Sequence, residues 1–356
     1  MSDHACSRVE PFQPAPGAWY GREMRARDDW IVNLDGASLE EVERAVAGVE
    51  ARGLSILEIG RDDFPLPLLG PELRALSREL IDGRGFALIR GLPVGHLGRQ
   101  RSAIAYWGMG RHLGEPITQN PLGHMLGHVK DIGADADDVD KRGYQSSAKL
   151  PYHTDVSGDF VALLCLKPSK SGGASSIVSS LCVHNEVLRR RPDLARVLAR
   201  PYYMDRRGEV PEGLPPYYPL PVFNYHAHHL TVSYLRRFAH SAQRFEAVPR
   251  FTEAQLEAMD LVDEIANEAD VHLEMEFHQG DIQILNNLTI LHARTAYVDH
   301  DDPAERRHLM RLWLSAEDGW PLPDVYYHRY GSAPGQGRPR GVHVRGTVPT
   351  APLDVA

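Results

Sequence analysis

Between residues 125 and 315 the chain is cut into short apolar runs separated by Gly, Pro, Asn and Asp. The runs at 125–132, 160–166, 176–181, 222–225, 230–235, 271–277, 281–285 and 308–315 are too short for multi-turn helices and read as strands bounded by turns. A further strand is expected at 85–91, between two glycines. Two helical stretches interrupt the series, at 184–200 and 252–269, the second opened by Thr252 with Gln255 three residues on. Many short strands with few helices must bury their faces and edges in a sandwich or barrel, and the jelly roll is the closed double-sheet solution. The expected class is therefore mainly β with flanking helices around a double-stranded β-helix (jelly-roll) core.

The remaining segments fall around that core. Residues 1–84 read as an N-terminal arm and buttressing helices of the same domain, with a Ser38/Glu41 capping box and a second helix at 72–82. Residues 85–330 form the core, which includes a helix at 99–112. Residues 331–356 are a Gly/Pro-rich tail. The stretch 201–221 is dense in Pro, Gly and Tyr and is a lid candidate. No apolar run approaches the roughly 20 residues of a membrane span. The first ten residues have no apolar stretch behind them, so no leader is expected. With 48 acidic against 39 basic residues the net charge is −9, which argues against nucleic acid. Three cysteines without a CxxC pair build neither a disulfide scaffold nor a zinc knuckle, and Cys165 reads as a reduced core residue. A cytoplasmic protein is expected, with homo-oligomerisation left open.

The chemistry starts at His153 and Asp155. On an extended strand residues i and i+2 share a face, so both can reach one metal. Two histidines and one carboxylate on one face of an octahedron, the other face open, make a non-haem iron(II) oxygenase site. The pair alone proves nothing, because 18 histidines and 48 acids give about 2.4 His-x-Asp/Glu pairs by chance, and the chain has four. His184/Glu186 opens a helix, where i and i+2 do not share a face. His300/Asp302 sits in a turn-like segment. His272/Glu274 is a fair strand candidate with no matching pattern downstream. His226, His228 and His229 cluster without a nearby carboxylate, as a hairpin edge would.

His153/Asp155 does have a downstream set. Ser171-Gly172-Gly173-Ala174-Ser175 follows a strand, and Asn286-Asn287 precedes His292 at the end of another. Arg307 and Arg311 then share one face of a strand. A buried arginine is costly unless it meets an anion, and its planar fork suits a carboxylate.

The order HTD, SGG-x-[ST], NN-x₄-H, RR-x₃-R resembles the taurine dioxygenase-like (TauD/TfdA) family of iron(II)- and 2-oxoglutarate-dependent dioxygenases, over about residues 85–315. The resemblance implies a clavaminate synthase-like jelly roll with iron(II) on His153, Asp155 and His292. It implies 2-oxoglutarate as cosubstrate, its far carboxylate held by Arg307 and Ser175, and Arg311 facing an anionic group of the substrate. Asn287 and Tyr217 are further candidates for substrate contact. The chain departs from the taurine enzymes in reading Gly-Gly-Ala-Ser where they have GGDT, and it lacks counterparts of their sulfonate-binding residues. Taurine is therefore not the expected substrate. Asp155 favours hydroxylation or desaturation over halogenation, whose enzymes replace that carboxylate. The partners implied are dioxygen and a small molecule, anionic or amino-acid-like if Arg311 faces it, larger and natural-product-like if the tyrosines of 201–221 form a wall. A non-catalytic cupin-like binding protein is the rival reading. A zinc hydrolase explains neither the arginines nor the glycine pair.

Overall fold

Alternating side chains, one set to each face of a strand, divide the molecule into layers. The computed structural model describes residues 12–133, 145–329, 338 and 341–354. Among them a seven-stranded sheet runs in the order Ile31–Asn33, Phe86–Arg90, Ile282–Asn286, Phe160–Lys167, His308–Ser315 and Glu115–Pro116, with Leu126–Val129 also paired to His308–Ser315. A four-stranded sheet runs Leu273–Met275, Ser175–Ser179, Ile290–Arg294 and Leu150–His153. Along Phe160–Lys167, Phe160, Ala162 and Leu164 pack with Val46, Leu73 and Trp107 of the N-terminal helices. Val161, with Leu88 and Trp313, joins a second core shared with Ile177 and Leu291 of the smaller sheet. Helices Ser180–Arg190, Pro192–Leu198 and Glu253–Ala266 add Val187, Leu198 and Val262 to that core. The chain crosses from one sheet to the other between Ile282–Asn286 and Ile290–Arg294, which carries Asn287 and His292 to the seam.

Several boundaries differ from expectation for identifiable reasons. The helix expected at 184–200 is two helices, because Pro192 opens a new one. The strand expected at 176–181 is Ser175–Ser179, where Ser179 Oγ accepts from Cys182 N (3.0 Å) and starts a helix. The helix at 99–112 begins earlier, at Val94, and is kinked at Gly98, whose φ is +68°. The Thr252/Gln255 capping box forms as expected. The Ser38/Glu41 box does not: Asp35 caps Gly36–Arg52, accepting from Ser38 N at 2.8 Å. Glu41 is buried and accepts from Leu68 N and Leu69 N, both at 2.8 Å, so it caps the helix Leu69–Asp82 instead. The lid expected at 201–221 is a hairpin of Pro201–Asp205 and Tyr217–Pro221 whose Tyr202 and Tyr218 lie in the core with Arg206 buried beside them, so only the connection 207–216 lies outside the core. No helix among the described residues is long and apolar enough to cross a membrane.

Glu41→Ala strips two N–H groups, that of Leu69 buried and that of Leu68 partly so, of their acceptor. It is expected to lower the unfolding free energy by about 1–3 kcal/mol, read by urea denaturation.

Candidate metal centre between two cavities

Antiparallel pairing places His153 directly opposite His292 across two neighbouring strands. Their ring centroids are 4.2 Å apart. Asp155 lies two residues on, its Oδ1 3.9 Å from His153 Nε2 and 4.0 Å from His292 Nε2. The three ligand atoms lie within 4.8 Å of one another, the sole such His/Cys/Asp/Glu group among the described residues.

Neighbouring groups aim these atoms. His153 Nδ1–H donates to Pro151 O (2.8 Å), which leaves the Nε2 lone pair turned to Asp155. Burial lowers the pKa of both imidazoles, that of His292 to about 3, so both are neutral and ready to ligate. Burial alone would raise the Asp155 pKa, but the Arg311 guanidinium and the hydrogen bond from the Trp313 indole oppose it, and the carboxyl is held below its usual range. Asp155 Oδ2 accepts from Trp313 Nε1 (2.6 Å) and Arg311 Nη1 (3.3 Å). Arg311 is steadied in turn by Gln119, whose Oε1 accepts from Arg311 Nε at 2.7 Å. One oxygen of the carboxylate is thereby held, and the other is left facing the histidines.

The triad sits where two cavities meet. The inner one, about 50 Å³, has apolar walls including Val161, Leu163 and Leu309, and is lined also by Ser175, Arg294 and Arg307. Arg307 is 3% exposed. Arg307 Nη1 and Arg294 Nε and Nη1 are buried with no hydrogen-bond partner among the described residues. The two guanidinium groups lie 5.1 and 4.8 Å from the Tyr297 ring centroid. Burial lowers the pKa of both, and Arg307 adds repulsion that helps bring Arg294 to about 10. Buried cations with unused donors call for an anion. The outer cavity, about 370 Å³, opens from His153 and Asp155 towards Arg207, Arg237 and Phe238, with Arg311 on the wall of both cavities.

The family described as "Taurine catabolism dioxygenase TauD, TfdA family" matches residues 50–313. The chain belongs to this family. It is an oxidoreductase of the iron(II)/2-oxoglutarate-dependent dioxygenase class. It is 32% identical over 320 residues to FR-33289 synthase of Streptomyces rubellomurinus, covering 88% of this chain and 93% of that protein. It is 32% identical over 317 residues to the taurine hydroxylase-like protein SAT17 of Stachybotrys chartarum, covering 86% and 80%. Among solved structures it is similar to asparagine oxygenase in complex with Fe(II), (2S,3S)-3-hydroxyasparagine and succinate, with a TM-score of 0.62, 18% identity and coverage of 80% and 93%.

Within this TauD/TfdA chain, His153, Asp155, His292, Ser175, Arg307 and Arg311 converge on one place. Two other expected residues do not contact the cavities as supposed. Asn287 Oδ1 accepts from Asp155 N (2.7 Å), and its Nδ2 donates to the carbonyls of Asp155, Ser157 and Gly158 (3.0–3.2 Å). Its amide is consumed in shaping the Asp155 loop rather than offered to a substrate. Tyr217 packs on Tyr203 and Phe245, away from both cavities, because its strand turns alternate side chains into the core. Arg311 is engaged with Asp155 and Gln119, so its first task is to orient the carboxylate. The His226 group is a hairpin turn, as expected, with His229 stacked on Trp320 at 4.1 Å. Arg294 and Trp313 escaped the sequence reading, although each stands two residues beyond a chosen residue on the same strand face (His292 and Arg311). Gln119 lies on a connection and carried no signal.

Trp313→Phe removes the shorter bond to Asp155 Oδ2 and is expected to weaken Mn(II) binding about 10–100-fold with the circular dichroism unchanged. In the wild type burial lowers the pKa of both imidazoles, that of His292 to about 3, so the His292 ring stays neutral where an ordinary histidine of pKa about 6.5 would titrate. Mn(II) affinity, followed by electron paramagnetic resonance, is therefore expected to begin its acid fall at a lower pH than the about 6.5 of ordinary histidine ligands.

Proposed function

We propose that this enzyme hydroxylates an unactivated C–H bond of a small anionic molecule, with iron(II) on His153, Asp155 and His292 and 2-oxoglutarate in the inner cavity. The observation that carries this reading is the inner cavity itself. It has buried, partnerless guanidinium nitrogens at one end, apolar walls between, and the His-Asp-His group at the other. That pattern suits a dicarboxylate whose far carboxylate pairs with Arg307 and whose 2-oxo acid end meets the metal. The two facing sheets are taken as the double-stranded β-helix on which this site is built. Bound here, iron(II) and 2-oxoglutarate supply dioxygen-dependent oxidation of a C–H bond, with succinate and carbon dioxide as coproducts.

The chain's own residues divide the remaining work. Trp313 and Arg311 hold Asp155 Oδ2 so that Oδ1 alone is presented, which keeps one face of the site open. Arg307 and Arg294 match the cosubstrate's charge at the buried end of the inner cavity. The Ser175 hydroxyl donates to Gln283 Oε1 at 3.1 Å, and turning the Gln283 amide would free that proton for the same carboxylate. Ser176 faces the other way and meets Tyr152 Oη at 2.5 Å. The outer cavity receives the substrate, and its arginines favour an anion. The relative named for taurine hydroxylation and the neighbour holding hydroxyasparagine are consistent with a small substrate bearing an acidic group.

Aerobic incubation of the iron(II)-loaded enzyme with 2-oxoglutarate is expected to release succinate, as 2-oxoglutarate-dependent enzymes do slowly without substrate. Arg307→Ala is expected to raise the KM for 2-oxoglutarate by the equivalent of about 2–5 kcal/mol. Arg311→Ala should lose metal-dependent turnover altogether, because it loosens Asp155. Succinate formation that ignores iron, or an unchanged KM in Arg307→Ala, would sink the assignment.

A further inference from the structure

Arg294 divides its donors between two parts of the molecule. The strand Ile290–Arg294 pairs on one side with Leu150–His153, which is the edge strand of the smaller sheet. The register of that pairing shifts at Arg294: His292 faces His153, but Arg294 faces Leu150. The chain bends just before Leu150, and its carbonyls meet the guanidinium. Arg294 Nη2 donates to Ser146 O at 2.8 Å and to Ala148 O, and Tyr297 N donates to Ser147 O at 3.1 Å. Three consecutive carbonyls are thus held by residues 294 and 297. Arg294 Nε and Nη1 are the nitrogens without a partner among the described residues, and the side chain lines the inner cavity together with Arg307.

A buried cation bonded to two carbonyls keeps much of its desolvation cost, and a carboxylate at its remaining donors relieves it. The guanidinium is planar and rigid, so an anion that fixes it from the cavity side fixes it for the loop as well. The Tyr297 bond joins backbone to backbone and does not share in this. The segment 146–148 therefore has one standing tie and two that strengthen when the inner cavity holds an anion. Little else secures it, since Ala148 and Lys149 are exposed. The consequence reaches both cavities, because the segment leads into Leu150, which lies on the wall of each.

We infer that Arg294 is a positioning residue that couples the two cavities: a dicarboxylate in the inner one locks the segment 146–149 and Leu150, and so completes the wall of the outer one. The inference rests on the oxygenase reading above and adds to it a regulation of that site. The signal is the far carboxylate of the cosubstrate, not its bond to the metal. A 2-oxo acid that lacks this group chelates the metal and leaves the wall loose. Arg307 lines only the inner cavity and makes no printed bond to the segment, so the link runs through Arg294.

The test is hydrogen–deuterium exchange of the full-length protein under anaerobic iron(II), read by mass spectrometry on peptides covering 145–150. Trypsin cleavage after the exposed Lys149 reads the same segment independently. Chelate formation is followed separately by its visible charge-transfer band. In the wild type 2-oxoglutarate is expected to slow both exchange and cleavage about 10-fold, an ordinary coupling between sites. 2-Oxovalerate, the same carbon chain without the far carboxylate, should give the band at saturation and leave both readings where iron alone puts them. Arg294→Lys keeps the charge but not the fork. With its band saturated, its segment should exchange and cleave at the same rate with and without 2-oxoglutarate. A merely structural arginine would act otherwise: the variant would speed exchange by one factor in both states and preserve the ligand's effect. That result overturns the inference. So does a wild-type segment indifferent to bound 2-oxoglutarate, or equal protection by 2-oxovalerate. Failure of the band to form at all with 2-oxoglutarate in the wild type is a separate result that removes the oxygenase reading itself.

Discussion

Everything at this site depends on how one carboxylate is divided. Asp155 is buried, and an ionised carboxylate in that position survives only because donors meet it. Trp313 and Arg311 take one oxygen and two histidines face the other. The loop that carries the carboxylate is itself held through four hydrogen bonds by the Asn287 amide. These supports come from three separate stretches of chain, so the geometry of the triad is a property of the packed sheets rather than of the His-x-Asp motif.

The same seam explains why the two cavities differ. The inner cavity lies between sheets, where alternate side chains from neighbouring strands supply apolar walls and where Arg294 and Arg307 keep buried nitrogens without a hydrogen-bond partner among the described residues. The outer cavity is closed by a hairpin tip and a short helix, elements joined by a buried carboxylate rather than by a sheet ladder. A scaffold of this kind keeps the metal and cosubstrate end rigid and leaves the substrate end to vary with loop sequence. Members of one family can then share the triad and differ in what they oxidise.

Much of the site was legible because strands make same-face neighbours predictable. His153 and Asp155, and Arg307 and Arg311, follow from alternation, and the order of motifs distinguished His292 from fifteen other histidines outside the two pairs at 153 and 272. The residues that escaped did so for physical reasons. Trp313 reads as an ordinary core aromatic until its indole N–H is seen to need an acceptor. Asn287 looked like a substrate contact because sequence does not tell a polar side chain facing a cavity from one bonded to backbone. The fold boundaries slipped where a local signal met a competing one: Glu41 fits a capping box with Ser38, but the adjacent helix start offered it two N–H groups without other acceptors in the turn. Tyr217 was misplaced because 201–221, punctuated by proline, hid the register of two paired strands.

The central claim is that the metal stands between the cavities, with the cosubstrate on the Arg307 side. A crystal grown without oxygen in the presence of iron(II) and 2-oxoglutarate tests it directly, with the iron located by its anomalous scattering. The account predicts iron within bonding reach of His153 Nε2, Asp155 Oδ1 and His292 Nε2, Asp155 Oδ2 still on Trp313, and the far carboxylate of 2-oxoglutarate against Arg307. Iron at other residues, both oxygens of Asp155 on the metal, or the cosubstrate lodged beside Arg207 would contradict it.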